Sequence, residues 1–105
     1  MPAAAIEVLA EPSRRRILDL LQDGEQSVGD LVGRMQLSQP AVSKHLRVLR
    51  DAGLLEVRAD AQRRLYRISP EPLAELDAWL APYRKLWNES LDQLERHLDP
   101  RRKRS

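Results

Sequence analysis

The chain has 105 residues, of which 42% are hydrophobic and 32% charged, a mixture typical of a single folded domain. It contains no cysteine, which excludes a disulfide framework, a thiolate metal site and a cysteine nucleophile. No stretch approaches 18 apolar residues, and no basic region followed by an apolar run begins the chain, so we expect a cytoplasmic protein without membrane contact.

The formal charge of +2 is distributed unevenly along the chain. Residues 38–70 hold seven Lys or Arg against three Asp or Glu, whereas residues 71–99 hold three against seven. Residues 1–37 are mildly acidic, and four cations follow at 101–104. A basic middle between acidic flanks indicates that the middle contacts a polyanion, with chance clustering as the alternative.

Two helices are predicted at the start of the chain. Residues 3–10 form a short apolar helical pattern that Pro12 ends. Pro12 suits the first turn of a second helix with Glu11 at its cap, and Gly24 is a predicted stop. The apolar face of this second helix consists of Ile17, Leu18 and Leu21.

Two further helices joined by a tight turn are predicted next. Ser27 and Asp30 form a capping box in which hydroxyl and carboxylate satisfy unpaired backbone amides. Ser38 caps the following helix, Pro40 lies in its first turn and Gly53 ends it, so this helix covers about residues 38–52. Its inward face is lined by Val42, Leu46 and Leu49.

The apolar period then changes from helical to extended. Alternation predicts a β-hairpin over about 54–69 with a basic tip, and a long helix over about 71–98 follows. Pro82 predicts a kink or short break in that helix. Residues 1–99 thus form one domain, mostly α with a small β-hairpin: a winged helix-turn-helix with flanking dimerisation helices. Residues 100–105 are a basic tail, predicted to be disordered.

Three sequence runs carry a resemblance to a known family. The first is Leu37-Ser38-Gln39-Pro40-Ala41-Val42-Ser43-Lys44-His45-Leu46, followed by Leu49 and Ala52-Gly53-Leu54; the others are Glu11-Pro12-Ser13-Arg14-Arg15-Arg16-Ile17-Leu18 and Arg63-Arg64-Leu65-Tyr66. These runs resemble the bacterial ArsR/SmtB-family repressors. The resemblance covers residues 5 to about 98. It implies a homodimer, joined through the first and last helices, that binds an inverted-repeat operator in double-stranded DNA and represses transcription.

The outward side of the predicted recognition helix carries groups suited to reading a DNA groove. Glutamine can pair with adenine, lysine and arginine with guanine or phosphate, and serine with either. An ordinary solvated helix face, and a solvated turn at the hairpin tip, are the alternatives. The predicted DNA-binding residues are Gln39, Pro40, Ser43, Lys44, His45, Arg47, Arg63 and Arg64.

Several assignments within this set stay open. His45 flanks the buried stripe, so it can make a structural hydrogen bond, a phosphate contact or both. Asp60 places an acid at the hairpin tip, where relatives often have glycine, and this leaves the contribution of the wing to DNA binding open. Arg14, Arg15 and Arg16 either contact phosphates or form a solvated face; cations oppose the helix dipole at that end.

Many members of the ArsR/SmtB family sense metals, and their two metal sites can be compared with the matching residues of this chain. The cysteine site on the family's third helix aligns with Ser27-Val28-Gly29-Asp30-Leu31, so both ligand positions are lost. A zinc site on the last helix, anchored on Asp77, aligns with Trp79, Ser90 and Gln93, and His97 is alone there. We therefore expect no metal and no cofactor.

The apolar stripe of the last helix predicts the dimer interface, together with residues of the first helix. Trp79, Tyr83 and Trp87 form either part of this dimer core or a pocket for an unidentified small-molecule effector. The predicted interface residues are Ile6, Leu9, Leu80, Tyr83, Trp87, Leu91, Leu94 and Leu98.

The function predicted from the sequence is a DNA-binding transcription regulator, specifically a homodimeric repressor that does not respond to metals. The alternative is a winged-helix module that binds protein and not DNA; the basic face around Lys44, Arg47 and Arg63 argues against it. An enzyme is not expected, because no paired acids, nucleophile–base set or phosphate-binding loop occurs in the sequence.

Overall fold

The computed structural model describes residues 3–98, which form five helices and one small antiparallel sheet. The mostly α winged helix-turn-helix predicted from the sequence is confirmed. The tail at 100–105 lies outside the described residues. In chain order the elements are α1 Ala3–Leu9, α2 Pro12–Leu21, β1 Gln26–Ser27, α3 Val28–Met35, α4 Gln39–Asp51, β2 Leu55–Asp60, β3 Arg63–Ile68 and α5 Pro70–Leu98.

Helices α2, α3 and α4 begin at the predicted capping residues. The Glu11 carboxylate accepts the backbone amide of Arg14 at 3.1 Å. The Ser27 hydroxyl accepts the Asp30 amide at 3.2 Å and the Asp30 carboxylate accepts the Ser27 amide at 3.0 Å, which completes a capping box. The Ser38 hydroxyl accepts a first-turn amide of α4 at 3.3 Å. These bonds supply partners for amides that the helices leave unpaired.

The end of α4 sets the start of the wing. The amide of Gly53 donates to the carbonyl of Arg50 at 2.9 Å, and the amide of Leu54 donates to that of Leu49 at 3.0 Å. These two bonds form a Schellman motif, whose left-handed position Gly53 occupies at φ 80° without a Cβ clash. The chain therefore turns directly from α4 into the core position of Leu54 and then into β2.

The sheet places β3 between β1 and β2. Strands β2 and β3 pair from Leu55 opposite Ile68 to Asp60 opposite Arg63, and a two-residue loop at 61–62 joins them. The hairpin confirms the predicted wing. Strand β1 pairs Gln26 with Tyr66 and was not anticipated, because two residues carry no periodic signal.

The hydrophobic core lies between α2, α3, α4 and the base of the wing. Its fully buried side chains come from the apolar faces of the helices and from the residue after the Schellman turn. The six largest, all 0% exposed, are Ile17, Leu31, Val42, Leu46, Leu49 and Leu54.

Helix α5 is continuous from Pro70 to Leu98, so of the two outcomes predicted at Pro82 the short break is wrong and the kink stays a prediction. Proline removes one helical hydrogen bond and frees the carbonyl of residue 78. Ala78 and Pro82 are both exposed, so water can solvate that carbonyl and the helix continues. With 29 residues, α5 is about 43 Å long, and the molecule measures 65 × 29 × 20 Å.

Candidate nucleic-acid interface

The recognition helix α4 presents a polar face to solvent while its apolar face is buried in the core. Five of the predicted DNA-binding residues are exposed on that outer side, which we call the reading face: Gln39, Pro40, Ser43, Lys44 and Arg47. Because Val42, Leu46 and Leu49 are fully buried behind it, the core fixes the orientation of the reading face. The structure thus brings these five residues together on one surface.

His45 lies apart from the reading face and is directed toward the start of α2. Its Nδ1 accepts a hydrogen bond from Nε of Arg14 at 3.4 Å and lies 3.9 Å from Oε2 of Glu11. The side chain is only 20% exposed. This contact favours the structural alternative for His45, and its phosphate contact stays a prediction.

Arginines at the start of α2 are occupied by the end of α1. Arg14 donates to the carbonyl of Val8 at 3.3 Å, and Arg15 donates to the carbonyls of Leu9 and Ala10 at 2.9 and 3.1 Å. These carbonyls have no partner within α1, so the guanidinium groups satisfy a helix C-terminus. The cost of placing cations at a helix N-terminus is therefore offset by capping the preceding helix.

The wing arginines divide into paired and unpaired groups. Arg63 contacts the Asp60 carboxylate at 3.3 Å, Arg67 contacts Glu56 at 2.7 Å, and Arg58 contacts Glu25 at 2.7 Å. Sequence reasoning did not foresee these acidic partners for the wing, and the Arg58 partner comes from a different part of the chain. Such exposed pairs contribute little to stability, but they reduce the charge available to a polyanion.

Three pKa shifts follow from one of these pairs and from the capping box of α3. The hydrogen bond from Arg58 lowers the pKa of Glu25, and the same bond raises the pKa of Arg58. The pKa of Asp30 is lowered first by the backbone amide of Ser27 and also, more weakly, by the charge of Arg63. All three groups stay ionised near neutral pH.

Four other cations near α4 and the wing remain without side-chain partners. Between residues 3 and 98, the side chains of Lys44, Arg47, Arg50 and Arg64 make no hydrogen bond or ion pair, and all four are exposed. Arg50 was not among the predicted DNA-binding residues. Its position three residues after Arg47, on the same side of the helix, was the signal that could have identified it.

The candidate dimer residues lie on α1 and along α5. Ile6, Leu9 and Leu80 are half-buried, and α1 packs against both α2 and α5. The remaining candidates are exposed, and Leu86, which sequence reasoning missed, joins them at 62% exposure. Its spacing of three residues from Tyr83 could have identified it. The exposed apolar side chains are Tyr83, Leu86, Trp87, Leu91, Leu94 and Leu98, which we call the α5 stripe.

The aromatic residues near Pro82 lie along α5. The rings of Trp79 and Tyr83 have centroids 5.0 Å apart, and the side chains of Tyr83 and Trp87 are more than half exposed. Their division between dimer core and effector pocket stays a prediction.

Within the described range 3–98, no group of three or more His, Cys, Asp or Glu side chains is arranged to hold a metal. In that same range no helix has the length and apolar character needed to cross a bilayer.

Comparisons with known proteins identify the family. The protein-family model described as bacterial regulatory protein, arsR family, matches residues 11–57, from the cap of α2 into β2. The chain is 41% identical over 75 residues to the HTH-type transcriptional regulator Rv2034 of Mycobacterium tuberculosis, covering 71% of this chain and 70% of that protein. It is 36% identical over 74 residues to the biofilm growth-associated repressor of Agrobacterium fabrum, covering 70% and 63% respectively.

A crystal structure of an ArsR family transcriptional regulator has a TM-score of 0.72 to this chain at 30% identity, covering 82% of this chain and 94% of that one. Sequence and structure comparisons therefore agree on the family. The chain belongs to the ArsR family of bacterial regulatory proteins and is a DNA-binding transcription regulator, not an enzyme.

Proposed function

We propose that the chain is a homodimeric repressor that binds an inverted-repeat operator and blocks transcription by occupying the promoter. The observation that carries this proposal is the reading face, which is exposed and cationic and is held by a fully buried core stripe. A helix of this kind enters the major groove while the wing contacts the neighbouring backbone or minor groove. The similarity to the repressor of A. fabrum supports repression rather than activation of transcription. We place the protein with the chromosome in the cytoplasm.

The α5 stripe supports dimerisation. Its six large apolar side chains are 43–69% exposed in a single chain, and clustered apolar exposure of this kind marks an interaction surface. A twofold dimer would bury the stripe of each chain against the other. Two recognition helices in such a dimer would reach half-sites about 34 Å apart along the DNA, which is one helical turn.

Operator binding is tested by gel shift with the DNA upstream of the protein's own gene and an unrelated duplex of equal length. At about 150 mM salt, the upstream DNA should bind at least 1,000-fold more tightly, because specific sites exceed non-specific DNA by ~10³ or more. Equal affinity for the two duplexes would contradict sequence-specific binding at this promoter.

We also propose that the regulator does not respond to metals through the family's two sites. Ser27 forms a capping hydroxyl where one site has cysteine, and Trp79 and Gln93 replace ligands of the other. Zinc, cadmium and arsenite at stoichiometric concentration should therefore leave the DNA complex intact. Titration calorimetry checks this, and tight 1:1 metal binding coupled to DNA release would contradict it.

A further inference from the structure

A cleft lies between the recognition helix and the wing, and we call it the helix–wing cleft. Its volume is about 410 Å³, which equals the space of on the order of a dozen waters at ~30 Å³ each. A phosphodiester group and its hydration shell fit in such a space. The residues that line it include Ser43, Arg47, Arg50 and Asp51 from α4 and Arg64 and Tyr66 from β3.

The helix–wing cleft is cationic in a way that the rest of the wing is not. Three guanidinium groups face one carboxylate, so the lining has an excess of two positive charges. None of the three arginines has a side-chain partner within the described chain, whereas Arg63 and Arg67 on the same strand are each paired with an acid. Arg64 and Tyr66 are two residues apart and so share one face of β3. The unpaired wing charge is therefore concentrated at the cleft.

In the proposed DNA complex, the path of the backbone would pass between these two elements. When a helix occupies the major groove and a wing reaches the adjacent minor groove, the sugar–phosphate strand that separates the two grooves must cross between them. The helix–wing cleft is the space between α4 and β3, and Val28 at the start of α3 also lines it. Arginine guanidinium groups offer forked donors that match phosphate oxygens.

We propose that the helix–wing cleft binds one backbone phosphate of duplex DNA per protomer, held jointly by Arg47, Arg50 and Arg64. This inference rests on the proposed DNA-binding function and assigns Arg50 a contact beyond the reading face. Asp51 opposes the anion, so it limits the affinity of this contact. Because phosphates carry no sequence information, the contact positions the helix in the groove and strengthens binding to any duplex.

The test uses fluorescence anisotropy with a 30-base-pair duplex of mixed sequence, over a series of salt concentrations. Arg50→Gln and Arg64→Gln should each weaken binding about tenfold. The slope of log K against the logarithm of the salt concentration is ~−0.9 for each phosphate that the protein contacts. If Arg50 and Arg64 hold one phosphate, the double variant should therefore reduce the magnitude of this slope by at most ~0.9 per protomer. Asp51→Asn should strengthen binding severalfold.

Arg67→Gln is the matched control, because it removes the same charge from β3 at a site paired with Glu56. It should change the affinity less than twofold, and thermal melting should show all variants folded. Wild-type affinity in Arg50→Gln, or a double-variant slope loss near 1.8 per protomer, would overturn the single-phosphate cleft while leaving DNA binding intact. A wild-type protein that binds no duplex would overturn the proposed function together with the cleft.

Discussion

The helix-turn-helix body and the second half of α5 contain the same apolar spacing with opposite burial. In the body, leucines three to four residues apart, such as Leu46 and Leu49, are 0% exposed. In α5, Leu91 and Leu94 follow the same spacing and are 43% and 52% exposed. The difference arises because α2, α3 and the wing cover α4, whereas the end of α5 extends past the body. Helical periodicity thus reports an apolar face, and only the surrounding chain decides whether a second molecule must cover it.

The largest effect is expected where the α5 stripe meets a second subunit. Burying one leucine is worth ~1.5–3 kcal/mol, so Leu94→Glu should cost ~3–6 kcal/mol across a symmetric dimer. That corresponds to ~100-fold or more in the dimer constant. Sedimentation at micromolar concentration should show mainly monomer, with sharply reduced operator affinity.

Asn88→Glu is the control for this change, because it adds the same charge on another side of α5. It should leave the dimer in place. An intact Leu94→Glu dimer, or a monomer that binds the operator as tightly as wild type, would show that the stripe has a different partner.

The body should respond through folding and not through assembly. Leu46→Ala removes a fully buried side chain from the core and should lower the free energy of unfolding by ~2–5 kcal/mol. Leu94→Ala, measured by urea unfolding at a concentration where the protein is monomeric, should change it by less than ~0.5 kcal/mol. Equal losses at the two positions would contradict the distinction between the helix-turn-helix body and the second half of α5.

The reading face should affect DNA binding without affecting folding. Lys44→Ala and Arg47→Ala remove exposed side chains and should each cost ~1–3 kcal/mol in operator affinity if the residue pairs with a base. If Lys44 contacts phosphate instead, the salt slope should fall by ~1. For Arg47, which shares one phosphate in the helix–wing cleft, the slope should fall by at most ~0.9 per protomer. Anisotropy with Arg67→Ala as the control checks both outcomes, and unchanged affinity in both variants would refute this face.

The smallest effect is expected at the wing tip. Ala61 has φ 56°, a left-handed conformation that costs a side chain with Cβ ~1–2 kcal/mol. Ala61→Gly should therefore stabilise the fold by ~0.5–1 kcal/mol after the greater chain entropy of glycine is subtracted. Ala59→Gly in the adjacent strand lacks this strain and should destabilise by ~0.5–1 kcal/mol. A lower melting temperature for Ala61→Gly would contradict the strained tip.

Much of the fold could be predicted because the chain marks its helix ends chemically. Ser27, Asp30, Ser38 and Gly53 are local capping signals, and each works through neighbours within a few residues. Helix continuity through Pro82 could not be predicted, because it depends on exposure of the freed carbonyl.

The paired state of the wing arginines was equally hidden from sequence. Arg58 meets Glu25 across 33 positions, and only the folded sheet brings them together. The reading face of α4 could be predicted from the sequence, because the periodicity of one helix is enough to identify it. The helix–wing cleft was not, because it combines residues from two elements whose relative placement depends on the tertiary fold.

DNase I footprinting on the upstream DNA, with dimeric wild-type protein, tests most directly that this chain is a dimeric regulator reading DNA through paired recognition helices. The expected result is two protected half-sites of inverted sequence, centred about one helical turn or ~34 Å apart. Leu94→Glu at the same concentration should lose both. Protection without twofold symmetry, or the same footprint from a monomeric variant, would contradict the proposed arrangement.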